Sequence, residues 1–283
     1  MTAHALFVSD LHGREDRYLK LLAAIRAERP GAVFVGGDLL PTGALAAGGG
    51  GFLLDWLGPQ LGSLRDALGS AYPRVLAIFG NDDPRSEEHA LGKLQERGLL
   101  EHVHGRRVEL RGVPAFGYAC VPPTPFALKD WERYDVSRFV DPGSVSPEEG
   151  VRSVPVAEGE TRWGTIAGDL DTLAGAEDLA RAVFLFHAPP HGTALDRAAL
   201  DGMAVDHAPL DVHVGSIAIR RFIEARQPRL TLHGHVHESA RLTGSWRERL
   251  GRTLCLSAAH DGPELALVRF DLDDPDGATR ELR

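Results

Sequence analysis

Cysteine is scarce: Cys120 and Cys255 are the only two in 283 residues. Two isolated thiols make neither a disulfide framework nor a Cys-x-x-Cys metal site. Each lies in an apolar run ("FGYAC" and "TLCLSA"), the expected setting of a buried thiol in a reducing cytoplasm. Long apolar stretches are missing as well. No run reaches the roughly 18 residues that a membrane-spanning helix requires. The opening "MTAHALFVSD" is too short and lacks the basic flank of a signal peptide. Positive charge is in deficit, with 31 basic against 40 acidic residues and a net charge of −9. That balance disfavours nucleic acid and anionic membrane as partners, since both select a basic face. These absences point to a soluble, cytoplasmic protein. A phosphate-bearing ligand would need a local cation on such a surface, and a metal is the obvious source.

What the chain does have is an alternation of apolar runs with amphipathic ones. Strands are expected at 5–9, 32–36, 75–79, 113–119, 182–186, 230–232, 253–257 and 265–271, unbroken runs suited to burial on both faces. Helices are expected at 15–28, with Leu19, Leu22, Ala23 and Ile25 on one face, and at 52–68, 86–97, 171–181 and 216–226. The early strand–helix–strand order indicates an α/β layered fold. Two stretches read as irregular: the Gly-rich loop 41–51 and the segment 121–164, rich in Pro, Gly, Glu and Asp. With no internal repeat and no boundary in composition, one domain over 1–283 is expected, carrying 121–164 as an insertion.

The chemistry lies at the ends of the strands. "LFVSD" ends in Asp10, with His12 two residues on; "VFVGGD" ends in Asp38; "IFGNDDP" supplies Asn81, Asp82 and Asp83. "VFLFH" ends in His187, and "LTLHGHVH" supplies His235 and His237. Any one of these is explained as a turn or a lone structural histidine. Ligands of α/β sheets, however, bind beyond the carboxyl ends of the strands. Five strand ends here carry two Asp, one Asn and four His. Oxygen and imidazole donors without thiolate suit Mn²⁺, Fe, Zn²⁺, Ni²⁺ or Co²⁺. Seven donors are too many for one catalytic ion and suit two, with a shared Asp bridging ions about 3.5–4 Å apart.

The order D-x-H, GD, GN-x-D, H, GH-x-H resembles that of the calcineurin-like metallophosphoesterase family, from Asp10 to His237. The resemblance implies a four-layer αββα sandwich of two mixed sheets flanked by helices. It also implies two divalent ions, manganese being the natural one to assay. One would be held by Asp10, His12, Asp38 and His237, the other by Asp38, Asn81, His187 and His235. Asp38 would be the bridge, and a bridging water or hydroxide the nucleophile. "GNDDP", "TPFALKDWER", "FHAPPHGTALD", "GSIAIRRFIE" and "HGHVHES" are similar to a bacterial and archaeal, phosphodiesterase-like branch.

The pattern departs from the family at one position. Many members carry His after the motif Asn, thought to protonate the leaving group or grip the phosphate; here it is Asp82. Between cations Asp82 is expected to be anionic and a poor general acid. His191 is the best replacement in the sequence. The expected reaction is therefore hydrolysis of small phosphodiesters, cyclic or activated, with Asn81, Asp82 and His191 at the reacting centre. Asp83 is expected to orient its neighbours. Ser216, with Gly215 before it, caps a helix whose N-terminus would offer N–H groups to an anion. Arg14, Lys129 and Arg133 are candidate phosphate contacts. The alternatives are a phosphomonoesterase or nucleotidase of the same family, a scaffold that keeps the fold without the chemistry, and a binuclear hydrolase of another family. The last would place its His-x-His early, whereas here it comes late.

Overall fold

The computed structural model describes residues 2–44 and 51–283. Each of the eight apolar runs forms a strand. In spatial order the first sheet holds β14 (Thr279–Leu282), β13 (Ala266–Asp271), β1 (His4–Val8), β2 (Ala32–Gly36), β3 (Arg74–Ile78) and β4 (Glu101–His102). Strands β1 to β4 run parallel, and β13 lies antiparallel to both β1 and β14. The second sheet holds β11 (Arg247–Leu250), β12 (Thr253–Ser257), β10 (Leu230–His233), β7 (Val183–Phe186), β6 (Val113–Tyr118) and β5 (Arg106–Leu110). Its four inner strands are parallel and its two edges antiparallel. A small hairpin pairs β8 (Ala204–Val205) with β9 (Ala208–Pro209).

The sheets meet face to face, β2 against β7 and β3 against β6. Phe7 and Phe34 of the first sheet are wholly buried, as are, to within 1%, Phe116, Phe184 and Phe186 of the second, whose rings stack together on the side facing α6. Helices α1 (Glu15–Glu28) and α2 (Gly58–Leu68) lay Tyr18, Leu21, Ile25 and Leu61 over β2 and β3. Helix α3 (Glu88–Glu96) packs beside β4. On the other side, α4 (Glu158–Trp163) precedes α5 (Ile166–Ala174), which packs on α6 (Ile217–Arg226). Phe222 of α6 seats its ring 5.1 Å from Phe184. Helix α7 (Ser239–Thr243) comes after β10 in the chain. The layers are thus helices, sheet, sheet, helices, the four-layer αββα sandwich that the resemblance implies.

Three helical expectations are corrected. The helix placed at 171–181 runs Ile166–Ala174 instead, because Thr165 caps it by accepting the Gly168 N–H at 3.1 Å and Gly175 ends it. The inward stripe of α1 is Tyr18, Leu21, Ala24 and Ile25, leaving Leu19 51% exposed. That face is turned because Arg17 and Tyr18 point inward to bond the backbone carbonyls of Asp10 and Leu39. The expected helix 52–68 begins as a wide π-type turn, Phe52–Leu57, before α2. Residues 121–164 are irregular apart from α4. Of the Gly-rich loop, residues 45–50 lie outside the described residues.

Candidate metal centre

Strands β1, β2 and β3 are adjacent in one sheet, and β7 and β10 in the other. Their carboxyl ends bring the seven donors together. Asp10, His12, Asp38 and His237 have ligand atoms all within 4.8 Å of one another. His12 Nε2 is 3.7 Å from Asp38 Oδ2, and His237 Nε2 is 3.4 Å from Asp10 Oδ1. On the other side of Asp38, the same Oδ2 lies 3.5 Å from His187 Nε2, which is 3.1 Å from Asn81 Oδ1. The His235 ring sits 5.1 Å from that of His187. Asp38 therefore stands between two groups of donors.

Unusual backbone geometry aims these side chains. Asp10 (φ 56°), His12 (φ 49°), Asp38 (φ 51°) and His235 (φ 73°) all adopt left-handed conformations, which non-glycine residues rarely do. Cross-loop hydrogen bonds hold them there, Asp10 N to Gly37 O at 3.0 Å and His12 N to Asp38 O at 2.8 Å. Glycine is required beside them. A Cβ on Gly80 would lie 2.2 Å from Asp38 Oδ1 and 2.6 Å from His187 Nε2. One on Gly37 would lie 2.5 Å from His187 Nδ1.

The electrostatics suit a cation. Asp10 and Asp38 are buried, which alone would raise their pKa values. For Asp10 the hydrogen bond and charge of His237 overcome burial; for Asp38 the charge of His187 does. Both stay below the usual carboxylate range. Burial disfavours charge on His187 and His237 too, yet Asp38 and Asp10 respectively lift them to about 9. His235 is driven by burial down to about 3, leaving a neutral imidazole.

The donors fit divalent ions on the structure's own terms. Asp10 Oδ2 is buried with no hydrogen-bond partner, a costly state for a carboxylate oxygen that a cation removes. His12 and His237 face each other with their Nε2 atoms 3.2 Å apart, as two imidazoles directed at one point do. His187 Nδ1 lies 2.7 Å from Gly36 O, a bond that anchors the ring through Nδ1–H and turns Nε2 toward Asp38 and Asn81, where a bound ion would replace its proton.

The family model for calcineurin-like phosphoesterases matches residues 3–239. The chain belongs to the calcineurin-like phosphoesterase family. No curated protein matches it with significance. Among solved structures, one crystal structure is 18% identical, covers 100% of this chain and 99% of that one, and gives a TM-score of 0.62. A protein of Thermus thermophilus, TT1561, is 16% identical, with 100% and 99% coverage and a TM-score of 0.58. An archaeal phosphodiesterase is 9% identical, with 99% coverage of both chains and a TM-score of 0.45. At such identities the likeness speaks for the fold alone. The family is typically dependent on two metal ions, and the donor groups around Asp38 are where this member would hold them.

The remaining expected residues divide around this cluster of donors. Asp82 sits at it: its N–H donates to Asp38 Oδ1 at 3.0 Å, and its carboxylate lies 3.5 Å from His12 Nδ1. Burial and the Asp38 charge raise its pKa, against the pull of His12. Asp83 is wholly buried and accepts the N–H groups of Leu39, Leu40 and Gly80 at 3.0, 2.9 and 2.8 Å. Burial and Asp38 push it up to about 8, against the pull of those three donors. His191 bonds Asp211 at 3.3 Å and lies 6.0 Å from the His213 ring, neither of which is among the seven donors.

Gly215 and Ser216 do not offer free donors. Gly215 N bonds Asp196 at 3.1 Å, and Ser216 N bonds Pro189 O at 2.9 Å. Ser216 does cap α6, accepting the Ile219 N–H at 3.0 Å, but the anion at that helix start is the protein's own Asp135. Lys129 is no phosphate contact either, being fully buried against Glu132. Arg133 is engaged by Glu160 and Asp169, and Arg14 by Asp16. One residue that the sequence reading misses is Arg17. It is buried and donates to Asp10 O at 2.6 Å and Gly262 O at 2.5 Å, tying the first ligand loop to a distant one. An arginine on the inward face of α1 was the available signal.

Proposed function

We propose that this family member is a dinuclear metal-dependent phosphodiesterase acting on small phosphodiesters such as a cyclic nucleotide. The observation that carries the reading is Asp38 Oδ2, 3.7 Å from His12 and 3.5 Å from His187, a single carboxylate oxygen serving both donor groups. Bound there, two divalent ions supply Lewis-acid polarisation of phosphate oxygens and activation of water. Asp10, His12 and His237 would hold one ion, and Asn81, His187 and His235 the other. Asp82 supports the choice of diester. It places a second carboxylate beside Asp38, where many relatives carry a histidine. A phosphomonoester brings a second negative charge to that acidic rim, and a diester only one, so repulsion selects against the monoester.

The test compares an aryl phosphodiester with an aryl phosphomonoester, using chelator-stripped protein with and without Mn²⁺. Wild type should turn over the diester faster, only with metal, and Asp38→Ala should abolish both activities. Asp82→His should shift the ratio toward the monoester. A ratio unmoved by Asp82→His would refute the diester assignment. No metal-dependent turnover at all would leave the scaffold as the better account.

A further inference from the structure

The stretch 124–133 and the residues after it have no role in the site so far, yet two of their carboxylates reach into the site's supporting loops. Asp130 is buried and accepts the Arg85 N–H at 2.8 Å and the Ser153 N–H at 3.0 Å. The Ser153 hydroxyl also donates to Asp130 and accepts the Ser86 N–H at 2.9 Å. The Arg85 guanidinium lies 5.7 Å over the Trp131 ring. Arg85 and Ser86 close the loop that begins at Asn81.

Asp135 reaches the opposite way. It accepts the Ser216 hydroxyl at 2.6 Å and the N–H groups of Ile217 and Ala218 at 2.7 and 3.2 Å. Ser216 in turn bonds Pro189 O through its N–H at 2.9 Å and accepts the His191 N–H at 3.0 Å. Those partners belong to the loop that begins at His187. The segment between the two carboxylates is itself pinned: Val121 N bonds Trp131 O at 2.9 Å, and Arg133 N bonds Val121 O at 3.1 Å. Asp10 and His12 are secured separately, by Arg17 and the Gly37–Asp38 backbone.

We propose that Asp130 and Asp135 are positioning residues for one half of the centre, fixing the loops of Asn81 and His187 relative to each other. The insertion is then a clamp on the second ion's ligands. This rests on the dinuclear reading above. Neither carboxylate is among the seven donors; Asp130 acts through the backbone of Arg85, in the loop of Asn81, and Asp135 through Ser216, whose backbone bonds Pro189 and His191 in the loop of His187.

The experiment is a calorimetric Mn²⁺ titration of chelator-stripped protein, with thermal melts and kcat and KM for an aryl phosphodiester. Asp130→Ala and Asp135→Ala should each weaken one Mn²⁺ equivalent by about tenfold or more, the scale of outer-shell effects on metal sites. The other equivalent should stay near wild type, and kcat should fall more than KM rises. Asp130→Asn and Asp135→Asn, which keep an acceptor oxygen, should recover part of the loss. If Asp130→Ala does not fold, Ser153→Ala removes the hydroxyl link alone and should show the same selective weakening. Variants with lower melting temperatures but two unaltered Mn²⁺ equivalents would overturn this inference and leave the function standing. Wild-type protein that takes up no Mn²⁺ would overturn both.

Discussion

Replacing Asp83 tests whether one buried carboxylate holds the Asp38 and Asn81 loops together. Its Oδ2 accepts from Gly80 and Leu39 at 2.8 and 3.0 Å, and its Oδ1 from Leu40 at 2.9 Å. Asp83→Ala leaves three buried N–H groups without partners. At about 1–3 kcal/mol for each buried donor left unpaired, and allowing some relaxation, the cost is about 3–5 kcal/mol. Asp83→Asn behaves differently. With its carbonyl oxygen in the Oδ2 position it keeps the Gly80 and Leu39 bonds and turns its NH₂ toward the Leu40 N–H. One bond is lost and two donors face each other, about 1–3 kcal/mol. Urea unfolding followed by tryptophan fluorescence reads both values. Because the two loops carry Asp38 and Asn81, Mn²⁺-dependent diester turnover should fall in the same order. Asn destabilising more than Ala would contradict the donor count. Losses below about 0.5 kcal/mol in both, the scale of neutral surface changes, would refute the premise that these bonds build the site.

Two further predictions concern the framework. Lys129 and Glu132 form a fully buried ion pair, with Thr124 N–H and hydroxyl also on Glu132 at 2.7 and 2.6 Å. Lys129→Met or Glu132→Gln alone should cost about 3–5 kcal/mol, and the double variant clearly less than their sum, since no charge is then left unpaired; additive losses in urea melts would contradict this. The second concerns pH. Burial, with Arg106 on His102 and His102 on His104, holds these imidazoles down to about 4 and about 3. The unfolded chain takes up both protons near pH 6.5 while the fold does not, so stability falls with decreasing pH from there toward 4. Between pH 7.5 and 5.5 each histidine should account for about 1.4 kcal/mol of lost stability, and His104→Gln should remove its share of the slope.

The fold was legible wherever burial was two-sided. Runs such as "AVFVG" and "AVFLF" read as inner strands because both faces are covered. The edges β5, β11 and β14 escaped because "RRVEL", "RERL" and "TREL" present charge to solvent, which is how sheet edges avoid further pairing. The α5 shift came from weighing apolar spacing over the cap, although Thr165 and Gly175 mark both ends. The site's donors were legible because each lies at or just beyond a strand's end. The supporting carboxylates were not, because Asp130 and Asp135 reach partners 45 and 81–83 residues away, and no local pattern encodes that. The Ser216 cap was visible in sequence; Asp135 standing where an anionic ligand was expected was not.

The distribution of backbone strain ties these observations together. Four of the seven donors occupy left-handed conformations that cost a non-glycine residue about 1–2 kcal/mol each. Glycine at those positions would relieve the strain and remove the donor, so stability alone does not account for the residues found. The offsetting interactions lie where the strain does: Arg17 on Asp10 O, Gly37 O on Asp10 N–H, and Asp83 on the loop after Asp38. The strands beneath need little of this, since their hydrogen-bond ladders are regular and most of their side chains apolar. A protein kept only for its fold would gain from relaxing these turns. One that must hold six donors around the Asp38 carboxylate has reason to keep both the strain and the buried polar groups that offset it.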